Sequence, residues 1–175
     1  VYYFHTKGIS FYGGESTDRH YRWFMHNVES WRKEMEYFLF DQWEVAVNTL
    51  SDGYDMYGSY RWPPLPAKRV MYSGNFWWTK ASYVRQLADI HPERMADDRL
   101  FAELWLYKGS GKDFSAFDTD AILYRVNIPA SIYDGSHTSL LTRLHFTLAH
   151  NWSKIKKKIF LQDFGKRYND KYQKK

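Results

Sequence analysis

The run Tyr72-Ser73-Gly74-Asn75-Phe76-Trp77-Trp78 limits what this chain can fold into more than any other stretch. A glycine and a polar amide stand directly before three large aromatic side chains. In an extended strand, alternation sends Phe76 and Trp78 to one face and Trp77 to the other, so both faces must be covered or one must meet a ligand. Either the strand is buried and its tryptophans are packing residues, or the rings are platforms for the C–H surfaces of sugars. In the second case Gly74 lets a substrate approach the backbone closely.

Composition narrows the class. At 175 residues, 20% aromatic and 26% charged with both signs mixed, the chain suits one folded domain with a sizeable core. The absence of cysteine excludes disulfides, thiolate metal sites and a cysteine nucleophile. No apolar run approaches the roughly 20 residues that a membrane span needs, and no basic-then-apolar leader opens the sequence. A cytoplasmic protein, at most peripheral to a membrane, is therefore expected. Val1-Tyr2-Tyr3-Phe4 already reads as a strand without an initiator Met, which suggests a piece of a longer protein.

The net charge of +5 is unevenly spread: residues 154–175 carry +7 and the remainder −2. The expected organisation is a domain over residues 1–150 and a basic helical tail over 151–175. Such a tail suits contact with an anionic membrane surface, or a solvated helix face packed through Ile155, Ile159 and Phe160. The near-neutral body offers no continuous basic groove, which speaks against a nucleic-acid-binding module.

Strands are expected at 1–4, 54–60 and 70–78, with a loop over 8–20 and Pro63-Pro64-Leu65-Pro66 closing the second strand. Apolar residues at helical spacing from Val28 through Trp31, Met35, Phe38, Leu39, Trp43, Ala46, Val47 and Leu50 predict one long amphipathic helix with Asn27 as N-cap. Further helices are expected over 79–87 and 96–107, then irregular structure and terminal helices.

Three constellations could carry chemistry. At the end of the first strand, His5-Thr6-Lys7-Gly8 supplies a cation for a phosphate leaving group, a hydrogen-bond donor and room for close approach. The alternative is an exposed turn. In Asp97-Asp98-Arg99-Leu100-Phe101-Ala102-Glu103, Glu103 lies at the margin of a buried stripe, where partial desolvation suits a general base. A surface glutamate and simple helix capping by the aspartates explain the same residues. Asp118-Thr119-Asp120 is a weak Asp-x-Asp candidate for a divalent cation, Mn2+ or Mg2+, bridging a diphosphate.

Taken in order, His5-Thr6-Lys7-Gly8, Trp31-Arg32, Met35-Glu36-Tyr37-Phe38, Ser73-Gly74-Asn75-Phe76-Trp77-Trp78 and Ala102-Glu103-Leu104-Trp105 resemble the glycosyltransferase-like proteins of bacteria and large DNA viruses. The pattern is similar to rhamnan-synthesis-type transferases over about residues 2–107, although Met71 stands where that pattern has His. The resemblance implies an α/β fold with a GT-A-like mixed sheet flanked by helices, of which this chain is the C-terminal, acceptor-side part. The nucleotide-binding half and its early Asp-x-Asp are expected to be absent.

It also implies transfer of a hexose or deoxyhexose from a nucleotide-sugar donor to a glycan or cell-surface polysaccharide acceptor. Glu103 is then the expected base, with Asp98 as substitute. His5, Lys7 and Gly8 hold the donor diphosphate; Ser73, Gly74, Asn75, Trp77 and Trp78 contact the sugar. A noncatalytic carbohydrate-binding module is the alternative: it would use the same aromatics and have no need of Lys7 or Glu103.

Overall fold

The computed structural model describes residues 1–4, 19–62, 71–89, 101–117 and 123–155. The fold is mixed α/β and divides into two compact units, Val1–Ser10 with Arg32–Thr119, and Phe11–Trp31 with Asp120–Lys175. The expected join at 150/151 falls inside a helix that runs over 140–155.

The first unit is built on a four-stranded sheet of β1 (Tyr2–Tyr3), β2 (Met56–Gly58), β5 (Trp77–Thr79) and β6 (Asp113–Ser115), in the order β1-β5-β2-β6. β5 is antiparallel to both β1 and β2, and β2 pairs in parallel with β6. A separate pair joins β3 (Arg61–Trp62) to β4 (Met71–Tyr72). The register aligns Tyr2 with Trp78, Trp78 with Tyr57, and Tyr57 with Phe114, so one aromatic row crosses all four strands on a single face. Within it Tyr2 stacks on Trp78 at 4.7 Å and Tyr57 on Phe114 at 5.6 Å. The opposite face carries Met56 and Trp77, which close a core with Tyr72, Tyr83 and Leu106.

The expected helix over 28–50 is interrupted. α1 (Arg19–Glu36) passes into a π-helical turn (Tyr37–Asp41) before α2 (Trp43–Ser51). Gln42 N–H bonds Tyr37 C=O at 2.9 Å, the five-residue spacing that defines such a turn. The wider turn leaves carbonyls for the sheet: Tyr57 Oη donates to Phe38 O at 3.2 Å and Trp78 Nε1 to Leu39 O at 2.7 Å. The extra residue also shifts the phase downstream. Val28, Trp31, Met35, Leu39, Ala46 and Leu50 are buried as the spacing predicts, but Trp43 and Val47 face solvent. Asn27 is an interior residue of α1 and not its cap.

The aromatic segment is two strands and not one. Asn75 N–H bonds Tyr72 C=O at 2.9 Å, and Gly74 has φ 91°, the third position of a type II turn, which favours glycine. The chain therefore leaves β4 and enters β5 through a reversal. After β5 come α3 (Ala81–Val84), α4 (Phe101–Trp105) and a 3-10 turn (Leu106–Lys108). β6 lies where irregular structure was expected.

In the second unit, Leu123, Val126 and Ile128 are buried with Val28 of α1. Ser30 Oγ accepts from Ile128 N at 3.0 Å and donates to Asn27 O at 3.0 Å. Ser139 caps the 140–155 helix, its Oγ accepting from Thr142 N at 3.1 Å. Among the described residues no helix is long and apolar enough to cross a membrane.

Candidate functional site

Glu103 is half-buried on α4, and α4 packs against β4, the strand that opens directly into Ser73-Gly74-Asn75. Three anchors hold α4 in place. Leu104 and Leu106 are buried, Trp105 Nε1 donates to Ala88 O at 2.7 Å, and Tyr83 Oη donates to Leu106 O at 2.8 Å. Among the described residues no hydrogen bond or ion pair engages the Glu103 carboxylate.

The turn itself is closed by hydrogen bonds. Asn75 has φ 58°, a left-handed conformation that Asn tolerates better than most residues, and its Oδ1 accepts from Trp77 Nε1 at 3.0 Å. Gly74 and Asn75 are buried and Ser73 is half-buried, so Ser73 presents the more accessible polar side chain of the turn. Trp77 is a core residue with its ring stacked on Tyr3 at 4.9 Å. Trp78 is half-buried and stacks on Tyr2. Each indole thus has a tyrosine of β1 stacked on it.

A polar network borders this region that the sequence did not suggest. Arg61 approaches Asp113 at 3.6 Å, and Tyr107 Oη donates to the same Asp113 Oδ2 at 3.2 Å. Tyr107 meets the Tyr72 ring edge-on at 5.4 Å, and Tyr72 Oη donates to Phe114 O at 2.9 Å. Burial, first of all, pushes both phenols well above the ordinary tyrosine range, so both are neutral hydroxyls. The signal for this network was the alternation Asp113-Phe114-Ser115-Ala116-Phe117, which has the period of a strand.

Glu34 is the other departure from expectation. Fully buried on α1, it has no hydrogen-bond partner on either carboxyl oxygen, and Ser59 Oγ is likewise unpartnered. Burial raises its pKa well above 4.5; the Ser59 hydroxyl, near enough to lower it somewhat, does not offset that. Its position three residues after Trp31 and four before Phe38 places it on the apolar stripe, a signal that its charge obscured.

The sign of the resulting pH dependence follows from linkage. A carboxyl whose folded pKa is raised contributes fully below its unfolded pKa, near 4.5, and that contribution is lost as pH rises toward the folded value. Glu34→Gln should therefore melt higher than the wild type at neutral pH, with the difference shrinking as the pH falls toward 4.5. Melting curves across that interval check this; parallel profiles for the two proteins would show that the carboxyl is not held protonated.

His5, Lys7, Gly8, Asp98, Asp118 and Asp120 lie outside the described residues. Among the described residues no group of three or more His, Asp or Glu side chains converges in a way that could hold a metal ion. No protein-family model, curated protein or solved structure matches the chain.

Proposed function

We propose that the chain is the acceptor-side part of a glycosyltransferase, moving a sugar from a nucleotide-sugar donor to a glycan acceptor. The observation that supports the reading is the packing of α4, which carries the half-buried Glu103, on β4, the strand that leads into the turn at Ser73. A carboxylate that no described residue engages, on a helix packed against the strand before a tight backbone turn, suits deprotonation of an acceptor hydroxyl as it attacks the anomeric carbon. The bond to the nucleoside diphosphate breaks as the new glycosidic bond forms, and Glu103 takes the proton. Lys7 and His5 are assigned to the departing diphosphate, and Ser73 to the acceptor side.

The carbohydrate-binding-module reading is weaker, because it depends on free aromatic faces. Trp77 and Trp78 are both stacked on tyrosines of β1.

Lys7 is one positive charge against at least two on a diphosphate, so binding of uridine, guanosine or thymidine diphosphate to this chain should be weak and salt-sensitive. Calorimetric titration with and without manganese, beside Lys7→Ala, tests the assignment. Metal-independent binding that the substitution removes is the expected result. Tight manganese-dependent binding that survives Lys7→Ala would instead place the diphosphate on Asp118 and Asp120. Glycan binding with no response to any nucleotide would favour the module.

A further inference from the structure

The 140–155 helix is amphipathic in the reverse of the usual sense. At about 100° per residue, Leu140, Leu144, Ile155, Leu148, Leu141 and Trp152 fall within one arc of about 120°. A helix on a globular body normally turns such an arc inward. Here all six side chains are 50–84% exposed, while Ser153 is buried and Thr142, Phe146 and Ala149 are half-buried on the opposite side. The apolar surface continues onto a second element. Trp23 of α1, itself exposed, lines a cleft of about 810 Å³ together with Leu141, Leu144 and Leu148.

We propose that this face docks on an anionic phospholipid surface, with the helix lying in the plane of the headgroups. Charge identifies the occupant. No Asp or Glu occurs between Asp134 and Asp163, whereas Arg143, Lys154, Lys156, Lys157 and Lys158 all lie in that interval. By helical spacing Arg143, which is exposed, and Lys154 lie along one edge of the apolar arc, the level where lipid phosphates would sit. Trp152 and Trp23 have the apolar body and polar N–H that suit the boundary between headgroups and acyl chains. A second copy of the chain is a poor occupant, because face-to-face pairing would bring like cations together with no acid among residues 135–162 to offset them. The inference is independent of the sugar-transfer reading, since neither Glu103 nor the Ser73 turn takes part.

Co-sedimentation of the full chain with phosphatidylcholine vesicles, with and without phosphatidylglycerol, tests it. Binding is expected only with the anionic lipid and should weaken as salt is raised. Leu144→Gln with Leu148→Gln should lower the partition coefficient by about tenfold or more, because two apolar side chains no longer enter the bilayer. The melting temperature should hold, since both positions are exposed. Unchanged binding by the double variant would overturn the proposal and leave the attraction to the lysines alone. A dimer in solution that the same substitutions dissociate, without any vesicle binding, would overturn it in favour of a second copy.

Discussion

Glu103→Gln should lower sugar transfer by roughly 10²–10⁴-fold while leaving the fold intact, because it keeps the shape of the side chain and removes only its ability to take a proton. The fold should tolerate the change. Glu103 is half-buried, no hydrogen bond or ion pair among the described residues depends on its carboxylate, and α4 is held by Leu104, Trp105 and Leu106. The measurement is turnover of nucleotide-sugar by the Gln variant beside its melting curve. The loss should appear in kcat more than in KM, as expected for a group whose interaction strengthens in the transition state. Near-normal turnover would make Glu103 a structural residue and pass the role of base to Asp98, for which Asp98→Asn is the matching test. A loss of turnover accompanied by a loss of melting temperature would instead mark α4 as a packing element.

How far the sequence spoke for this arrangement depends on which force sets each element. Apolar spacing placed Val28, Trp31, Met35 and Leu39 in the core correctly, because a single helical period governs α1. It failed at Trp43 and Val47, where the π turn breaks the period. That turn is stabilised by Tyr57 and Trp78 reaching across from the sheet, contacts remote in sequence that no local pattern carries. Gly74 marked a special backbone position, yet alternation alone could not show that the chain reverses there. Glu103 was legible as a residue at a stripe margin on a helix. The packing of that helix against β4 was not, because it joins α4 to a strand about thirty residues earlier in the chain. Glu34 was the hardest to read, since a charged side chain on an apolar stripe is ordinarily solvated and only the fold reveals its burial.

The contact between Gly58 and Tyr72 sets the largest expected effect on stability. Gly58 is paired on both sides, with β5 and with β6, so its backbone has no freedom to withdraw. A Cβ at this position would stand 2.2 Å from Tyr72 Cδ1, 2.4 Å from Cγ and 2.5 Å from Cε1, so it would strike the ring itself and not a flexible end. Nor can the ring step aside easily. Tyr72 is buried, its hydroxyl is tied to Phe114 O at 2.9 Å, and Tyr107 abuts it. Gly58→Ala should therefore destabilise by about 3 kcal/mol, the upper part of the usual overpacking range. For a chain of this size that corresponds to a fall of roughly 6–12 °C in melting temperature. Adding Tyr72→Leu should recover part of the loss, because the branched side chain vacates the plane of the ring, and the coupling between the two changes measures the contact directly. Additive losses would show that Gly58 matters for some other reason. The effect should also reach the candidate site, since Tyr72 is the last residue of β4 and directly precedes Ser73: displacing it moves the turn, and a shift of about 1 Å in a catalytic site can cost on the order of 10²-fold in rate.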